Sequence, residues 1–392
     1  MKQVITTERI PIKMWLDDIE DGALEQAKHL ANLPFAFSHI SILPDSHQGY
    51  GMPIGGVLAT ENVVIPNAVG VDIGCGMCAV QTPYEDVPRQ VLLQIIDRIK
   101  QVIPVGFSRH KIPQEETWMP DYVLPRSINK SIVVREWDAA RCQLGTLGGG
   151  NHFIEIQKGN DGYIWILLHS GSRNLGKQVA DYYNKRAMDL NKWWHVGVPK
   201  AWDLAFLPLS EIDGQNYLEE MKYCVRFAFQ NRLLMMTRIA EIITSTMKHK
   251  KVRLDSMINI VHNYAIMENH FGKNVMIHRK GATSAHEGEL GIIPGSQGTK
   301  SYIVRGKGNR DSFTSCSHGA GRKMGRKQAE RELDLEHEKS LMDDKGIIHF
   351  MDSVNDLDEA PGAYKNIDEV MENQRDLVDI MVELTPLAVI KG

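Results

Sequence analysis

At 392 residues, 43% hydrophobic and 24% charged, the chain has the length of two to three average domains or of one large enzyme domain with insertions. Its composition excludes disorder or a fibrous repeat as a description of the whole. Lysine and arginine number 45 against 49 aspartates and glutamates, a net charge of −4, which excludes a uniformly basic nucleic-acid coat; a polyanion must meet a local patch. Runs rich in β-formers at 39–43 and 57–65 predict strands. Val91, Leu92, Ile95, Ile96, Ile99 and Val102 recur at helical spacing and predict a helix over 87–102, with Asp86 and Pro88 as cap and first turn. The run 163–169 reads as a strand. The longest helical stretch is 217–247, with one expected break; its Tyr223, Phe227, Phe229, Met235 and Met236 are assigned to the core rather than to a cofactor box. Strands are expected again at 257–264, 275–278 and 301–305, an amphipathic helix at 366–384 and a terminal strand at 387–390. Helices should thus be rarer and longer than strands. The elements are interspersed without strict βαβ alternation, linker or repeat, so the fold class is α+β rather than doubly wound.

The first 30 residues carry Lys2, Arg9, Lys13, Asp17 and Asp18 with no apolar core, and no run of 18 apolar residues follows. The chain is expected to be neither exported nor membrane-spanning, hence cytoplasmic. Five cysteines (Cys75, Cys78, Cys142, Cys224 and Cys316) are an odd number thinly spread, as in a reducing compartment without a disulfide framework.

Of the 33 glycines, 21 fall in three tracts, 49–76, 145–150 and 281–325. Glycines alone would indicate tight turns; with His, Asp and Cys embedded they indicate a backbone able to approach phosphate or expose metal ligands. Asp72 and Cys75 lie three apart in a glycine-containing turn expected to follow an apolar strand, a good ligand spacing. The Cys75-x-x-Cys78 pair has no second C-x-x-C and opens no helix, so zinc-ribbon and thioredoxin readings are set aside. His152, His169 and His262 sit at predicted strand ends. Singly each reads as a structural histidine; with Asp72 and Cys75 they supply the N, O and S donors of a one- or two-metal centre. Softness alone points these donors to Zn²⁺ or copper.

Two enzyme classes compete. Asp45-x-His47 and Gly150-Asn151-His152 echo fragments of calcineurin-like metallophosphoesterases, but G-D-x-x-D and G-H-x-H are absent. A nucleotide-dependent ligase would need a nucleophile other than lysine, since the chain has neither G-x-x-x-x-G-K-[ST] nor K-x-D-G.

The tracts Pro44–Gly49, Val69–Met77, Leu144–Glu155 and Leu168–Arg173 resemble the RtcB family of RNA ligases, as do 262–264, 279–282, 291–296, 317–322, 363–365 and the Lys391-Gly392 end. The resemblance runs from about residue 5 to the terminus. It implies a single large catalytic domain over 1–392, of mixed and antiparallel sheets with flanking helices. It also implies GTP- and Mn²⁺-dependent joining of an RNA 3′-phosphate or 2′,3′-cyclic phosphate to a 5′-hydroxyl through a histidine–GMP adduct, in RNA repair or tRNA splicing. Carried over by motif, His318 is the nucleophile, and Cys75 bridges two Mn²⁺ also held by Asp72, His152, His169 and His262. Nucleotide contacts fall to Asn151, Phe153, Glu155, Ser296, Ser301, Ala320, Gly321, Tyr364 and Lys391, and phosphate contacts to Arg173 and Arg322. The alternatives are a metallophosphoesterase-like hydrolase of RNA ends and a non-catalytic RNA-binding paralogue.

The chain departs from the family pattern at Ser46, Tyr50 and Cys78, where valine, lysine and asparagine are usual, and over 103–140 and 184–215. These are the places where the choice of RNA, whether tRNA, rRNA or another substrate including DNA ends, would differ. Need for an accessory activator or a release-factor-like partner is open. Residues 300–331 hold nine lysines and arginines against two acids, a net of +7. Because this run brackets His318, Lys323, Arg326 and Lys327 are assigned with Arg322 to RNA phosphates, whereas the acid-rich 332–359 is expected to face water.

Overall fold

A computed structural model describes residues 1–121, 131–248 and 250–392. Part of the divergent segment 103–140 therefore lies outside the described residues. Two sheets dominate. One has six strands in the order Gln3–Ile5, Ile12–Met14, Ala36–His47, Ile54–Thr60, Lys273–Lys280 and Asn263–His270, with one parallel pair, Ile12–Met14 on Ala36–His47. The other has seven, all antiparallel: Ile258–Val261, Gly76–Gln81, Ile164–Ser170, Phe153–Gly159, Val378–Lys391, Ser301–Gly306 and Leu290–Ile293. With helices alongside, this is the α+β class read from the pattern. Among the described residues ten α-helices stand against 17 strands, so helices are the rarer and longer elements as expected, although they hold more of the residues, 36% against 27%.

The helix Arg89–Val102 buries Leu92, Ile95, Ile96 and Ile99 against the seven-stranded sheet, each worth about 1.5–3 kcal/mol of transfer free energy. Pro88 occupies its N-cap position without a side-chain bond, so Asp86 does not cap it. The long helix Ile212–Met247 is unbroken over 36 residues. Tyr223, Phe227, Met235 and Met236 are core, as expected, and Phe229 is half-buried. The segment 366–384 departs from expectation: the helix Ile367–Asn373 stops after seven residues, and Val378–Lys391 is a central strand. Beyond Asn373 the β-branched residues alternate with polar ones, and the pairing partners on both sides override the helical spacing. The run 57–65 is divided at Glu61-Asn62, where Asn62 takes φ +59°.

The chain passes from the seven-stranded sheet to the six-stranded one through a single residue, His262, between Ile258–Val261 and Asn263–His270. The two-stranded ladder Ala282–Ser284 with Ser315–Ser317 places His318 beside that passage.

Candidate active site

The ligand turn lies where backbone can approach closely. The one-turn helix Pro66–Val69 precedes Asp72, rather than the expected strand, and Gly76–Gln81 follows. Gly74 takes φ +77°, and a Cβ there would stand 3.0 Å from Val225 Cα of the long helix. A Cβ on Gly76 would meet Ile260 O at 2.0 Å. Glycine at both positions lets the turn lie between helix and strand.

Cys75 is the hub of the cluster. Its Sγ stands 3.4 Å from His152 Nε2 and 3.3 Å from His169 Nε2. His152 Nε2 continues to Asp72 Oδ2 at 3.1 Å, and His169 Nε2 to His262 Nε2 at 3.3 Å. The thiol and the two nearer imidazoles have all ligand atoms within 4.8 Å of one another. Backbone carbonyls orient both rings: His152 Nδ1 lies 3.0 Å from Leu147 O and His169 Nδ1 3.0 Å from Asn151 O. Each ring thereby turns its Nε2 toward Cys75. Burial, with His152 beside it, holds His169 well below the usual imidazole range; burial, with His318 beside it, does the same for His262. Burial and the neighbouring Asp72 push the Cys75 thiol well up. Burial alone would raise Asp72, but the His152 ring, then the Cys75 thiol and the Arg173 guanidinium outweigh it and bring the carboxyl down to about 2. His262 Nδ1 is buried without a hydrogen-bond partner among the described residues.

His318 stands against this cluster, its ring centroid 4.9 Å from that of His262. Its Nδ1–H donates to Asp45 Oδ2 at 2.6 Å, and the same oxygen accepts the His318 backbone N–H at 3.0 Å. Asp45 is fully buried. Burial would raise its carboxyl, but the His318 contacts prevail and hold it below the ordinary carboxylate range, leaving His318 Nε2 the basic nitrogen. Sequence reading quoted Asp45 in a D-x-H fragment and in the tract Pro44–Gly49 but missed it as a partner; its signal was the one carboxylate in the strand Ala36–His47.

These residues open on one cavity of about 1520 Å³. Asn151, Phe153, Glu155, Ser296, Ala320, Gly321, Tyr364 and Lys391 line it with His318, Asp72, Cys75, His169 and His262. Ser301 lies behind the wall, its Oγ accepting from Gln157 Nε2 at 3.1 Å and from Gly295 N at 3.3 Å. His152 and Arg173 are likewise off the lining; Arg173 donates to Thr146 Oγ1 at 3.2 Å and Gly106 O at 3.4 Å. Burial brings Glu155 up to about 7, against the opposing pull of Lys391.

The basic run is divided. Lys300 pairs with Glu383 and Lys307 with Asp379, away from the cavity, while Arg322, Lys323, Arg326, Lys327 and Arg331 line it. The acid-rich segment does not wholly face water: buried Glu359 accepts from Arg322 Nη1 at 3.2 Å, from Lys391 Nζ at 3.1 Å and from the Tyr364 hydroxyl, and Asp358 pairs with Arg326 at 3.2 Å. Glu359 was missed because a carboxylate in an acidic stretch carries no mark of burial. Lys323, Lys327 and Arg331 have no ion pair among the described residues.

The family model described as "tRNA-splicing ligase RtcB" matches residues 26–123 and 124–392. The chain belongs to the RtcB family. It is 36% identical to the RNA-splicing ligase RtcB of Escherichia coli K12 over 410 aligned positions, covering 100% of this chain and 99% of that protein. It is 30% identical to the tRNA-splicing ligase RtcB of Thermococcus kodakarensis, with 98% and 95% covered, and 31% identical to RNA-splicing ligase RtcB homolog 1 of Entamoeba dispar, with 95% and 82% covered. In this RtcB chain no described helix is long and apolar enough to cross a membrane.

Proposed function

We propose that the chain is an RNA ligase that joins RNA 3′-phosphate or 2′,3′-cyclic phosphate ends to 5′-hydroxyl ends with GTP and two Mn²⁺, in RNA repair or tRNA splicing, residues 1–392 acting as one catalytic domain. RNA ligation rests on the family and on the names its curated members carry. The observation that carries the chemistry is His318, with Nδ1 on buried Asp45 and its ring against the Cys–His cluster.

The donor set fits a pair of ions. Cys75 is central, Asp72 and His152 stand on one side and His169 and His262 on the other, with two imidazole Nε2 atoms only 3.3 Å apart and depressed in basicity. Bound ions would supply Lewis-acid polarisation of phosphate oxygens. Thiolate and imidazole would also take zinc; manganese comes from the family resemblance.

His318 Nε2 attacks the α-phosphorus of GTP; the nitrogen–phosphorus bond forms as the bond to the bridging oxygen breaks and pyrophosphate leaves. Asp45 stabilises the positive charge that develops on the ring. A 2′,3′-cyclic end is first opened by water, the bond from phosphorus to O2′ breaking and O2′ taking the proton; an oxygen of the RNA 3′-phosphate then attacks the guanylate phosphorus and releases His318. The 5′-hydroxyl oxygen finally attacks the RNA phosphate, losing its proton, and GMP leaves. Asn151, Phe153, Glu155, Ser296, Ala320, Gly321, Tyr364 and Lys391 hold the nucleotide, with Ser301 acting through the Gly295 backbone. RNA phosphates fall first to Lys323, Lys327 and Arg331. Arg322 and Arg326 reach phosphate by leaving Glu359 and Asp358, and Arg173 acts from beneath the metal cluster.

Incubation with Mn²⁺ and GTP labelled at the α-phosphate should leave label on the protein through a phosphorus–nitrogen bond, stable to alkali and lost in acid. His318→Ala should abolish the label and the joining while fold and metal content persist. Undiminished labelling of His318→Ala would overturn the assignment.

A further inference from the structure

Behind the metal cluster lie two polar side chains that none of the proposed steps uses. Asn231 and Arg232, midway along the helix Ile212–Met247, are both fully buried. Asn231 Oδ1 accepts from Gly145 N at 2.7 Å and Thr146 N at 3.3 Å; its Nδ2 donates to Thr146 O, Ser170 Oγ and Gly171 O, each at 3.2 Å. Arg232 Nη1 donates to Gly74 O at 3.0 Å and Ser170 O at 2.8 Å, and Nε to Asn259 Oδ1 at 2.7 Å. Its Nη2 has no partner among the described residues, and no carboxylate pairs with the guanidinium, which rests 5.0 Å from the Phe229 ring centre.

A buried guanidinium without a carboxylate is unfavourable unless its bonds do something a neutral side chain could not. Here the acceptors are distributed in a pattern. Gly74 adjoins Cys75; Ser170 adjoins His169; Asn259 lies on the strand Ile258–Val261, which leads directly into His262; and Thr146 adjoins Leu147, whose carbonyl lies 3.0 Å from His152 Nδ1 and accepts from the Ser170 hydroxyl at 2.6 Å. Two consecutive residues of one helix thus tie together every chain segment that carries a member of the cluster. Arginine suits the task because its planar fork reaches three acceptors at fixed angles, which lysine cannot.

We propose that Asn231 and Arg232 are positioning residues that hold the segments of the metal centre in binding geometry before any ion arrives. This rests on the reading of the cluster as a metal centre. Preorganisation of this kind means that the ion does not have to order its own ligand segments on binding, and removal of groups that orient ligands weakens metal affinity by about 10- to 100-fold.

Two measurements test it on the full chain. Calorimetric titration of Mn²⁺ into the chelator-treated protein should show binding to wild type, with affinity lowered about 10- to 100-fold in Arg232→Lys, which keeps the charge but cannot bridge the acceptors, and in Asn231→Leu. Wild-type binding with unchanged affinity in both variants overturns the proposal; no binding to wild type overturns the metal-centre reading instead. Hydrogen exchange on metal-free wild type needs no variant to fold. The amides of 74–78, 145–152 and 168–171 should already be protected without metal, and protection gained only on adding Mn²⁺ would show that the ion, not the helix, orders them.

Discussion

Asp45 makes the most specific demand of any single residue, because its carboxylate fixes which nitrogen of His318 is basic. Asp45→Asn removes the charge and permits the opposite tautomer, so the rate of protein labelling by GTP should fall by about 10²- to 10⁴-fold with metal content unchanged; rapid-quench labelling checks this. Glu155 allows a test by pH. Its carboxyl is raised to about 7 by burial, so it is neutral below that pH and ionised above. In the proposed nucleotide-holding role only the ionised form accepts nucleotide N–H groups as a full anion, so GTP affinity should strengthen as pH rises from 6 to 8 in wild type and stay flat in Glu155→Gln. The same sign governs stability: the folded state favours the protonated acid, so ionisation costs stability as pH climbs from the ordinary carboxylate range through 7. The stability of Glu155→Gln relative to wild type should therefore be higher at pH 8 than at pH 5, as scanning calorimetry would read. At this scale the grouping of Asp72, Cys75 and the three histidines was legible in sequence because glycines and rare residue types mark them, whereas His318 was singled out only through the family resemblance. Asp45 and Glu359 were not, since an acid's burial depends on partners 273 and 37 residues away in sequence.

Elements explain how the donors meet. The glycine turn at 72–76 fits only against the long helix and the strand Ile258–Val261. Gly74→Ala combines a left-handed φ with a 3.0 Å approach to Val225 Cα, and should destabilise the fold by about 1–3 kcal/mol while lowering metal content; denaturant unfolding and metal analysis would read both. Periodicity identified the helix Arg89–Val102 and strands such as Ala36–His47, Ile164–Ser170 and Lys273–Lys280, because their apolar faces repeat locally, but not Gly76–Gln81, Phe153–Gly159 or Leu290–Ile293. It failed over 366–384, where the short helix and the strand Val378–Lys391 share one apolar-rich stretch and only the neighbours Phe153–Gly159 and Ser301–Gly306 decide between them. It also could not show that His262 is the joint between two sheets, which is a fact of topology rather than of spacing.

The whole molecule carries a net charge of −4 with one strongly basic run, and the fold divides that run between a paired strand and the cavity rim. The residues to neutralise are thus Lys323, Lys327 and Arg331 rather than Arg326, which is paired with Asp358. Replacing all three with glutamine should weaken binding to unrelated RNAs alike and flatten the slope of log K against log salt by up to about 2, at ~0.7 per single-strand phosphate contact. An unchanged slope would place the RNA on another face. In the proposed reaction the terminal phosphate of one RNA end becomes the linkage. An RNA carrying label in its 3′-terminal phosphate, incubated with a 5′-hydroxyl RNA, GTP and Mn²⁺, should yield a joined product that retains the label at the junction and resists phosphatase. Release of the label as inorganic phosphate, with no joined product, would contradict it.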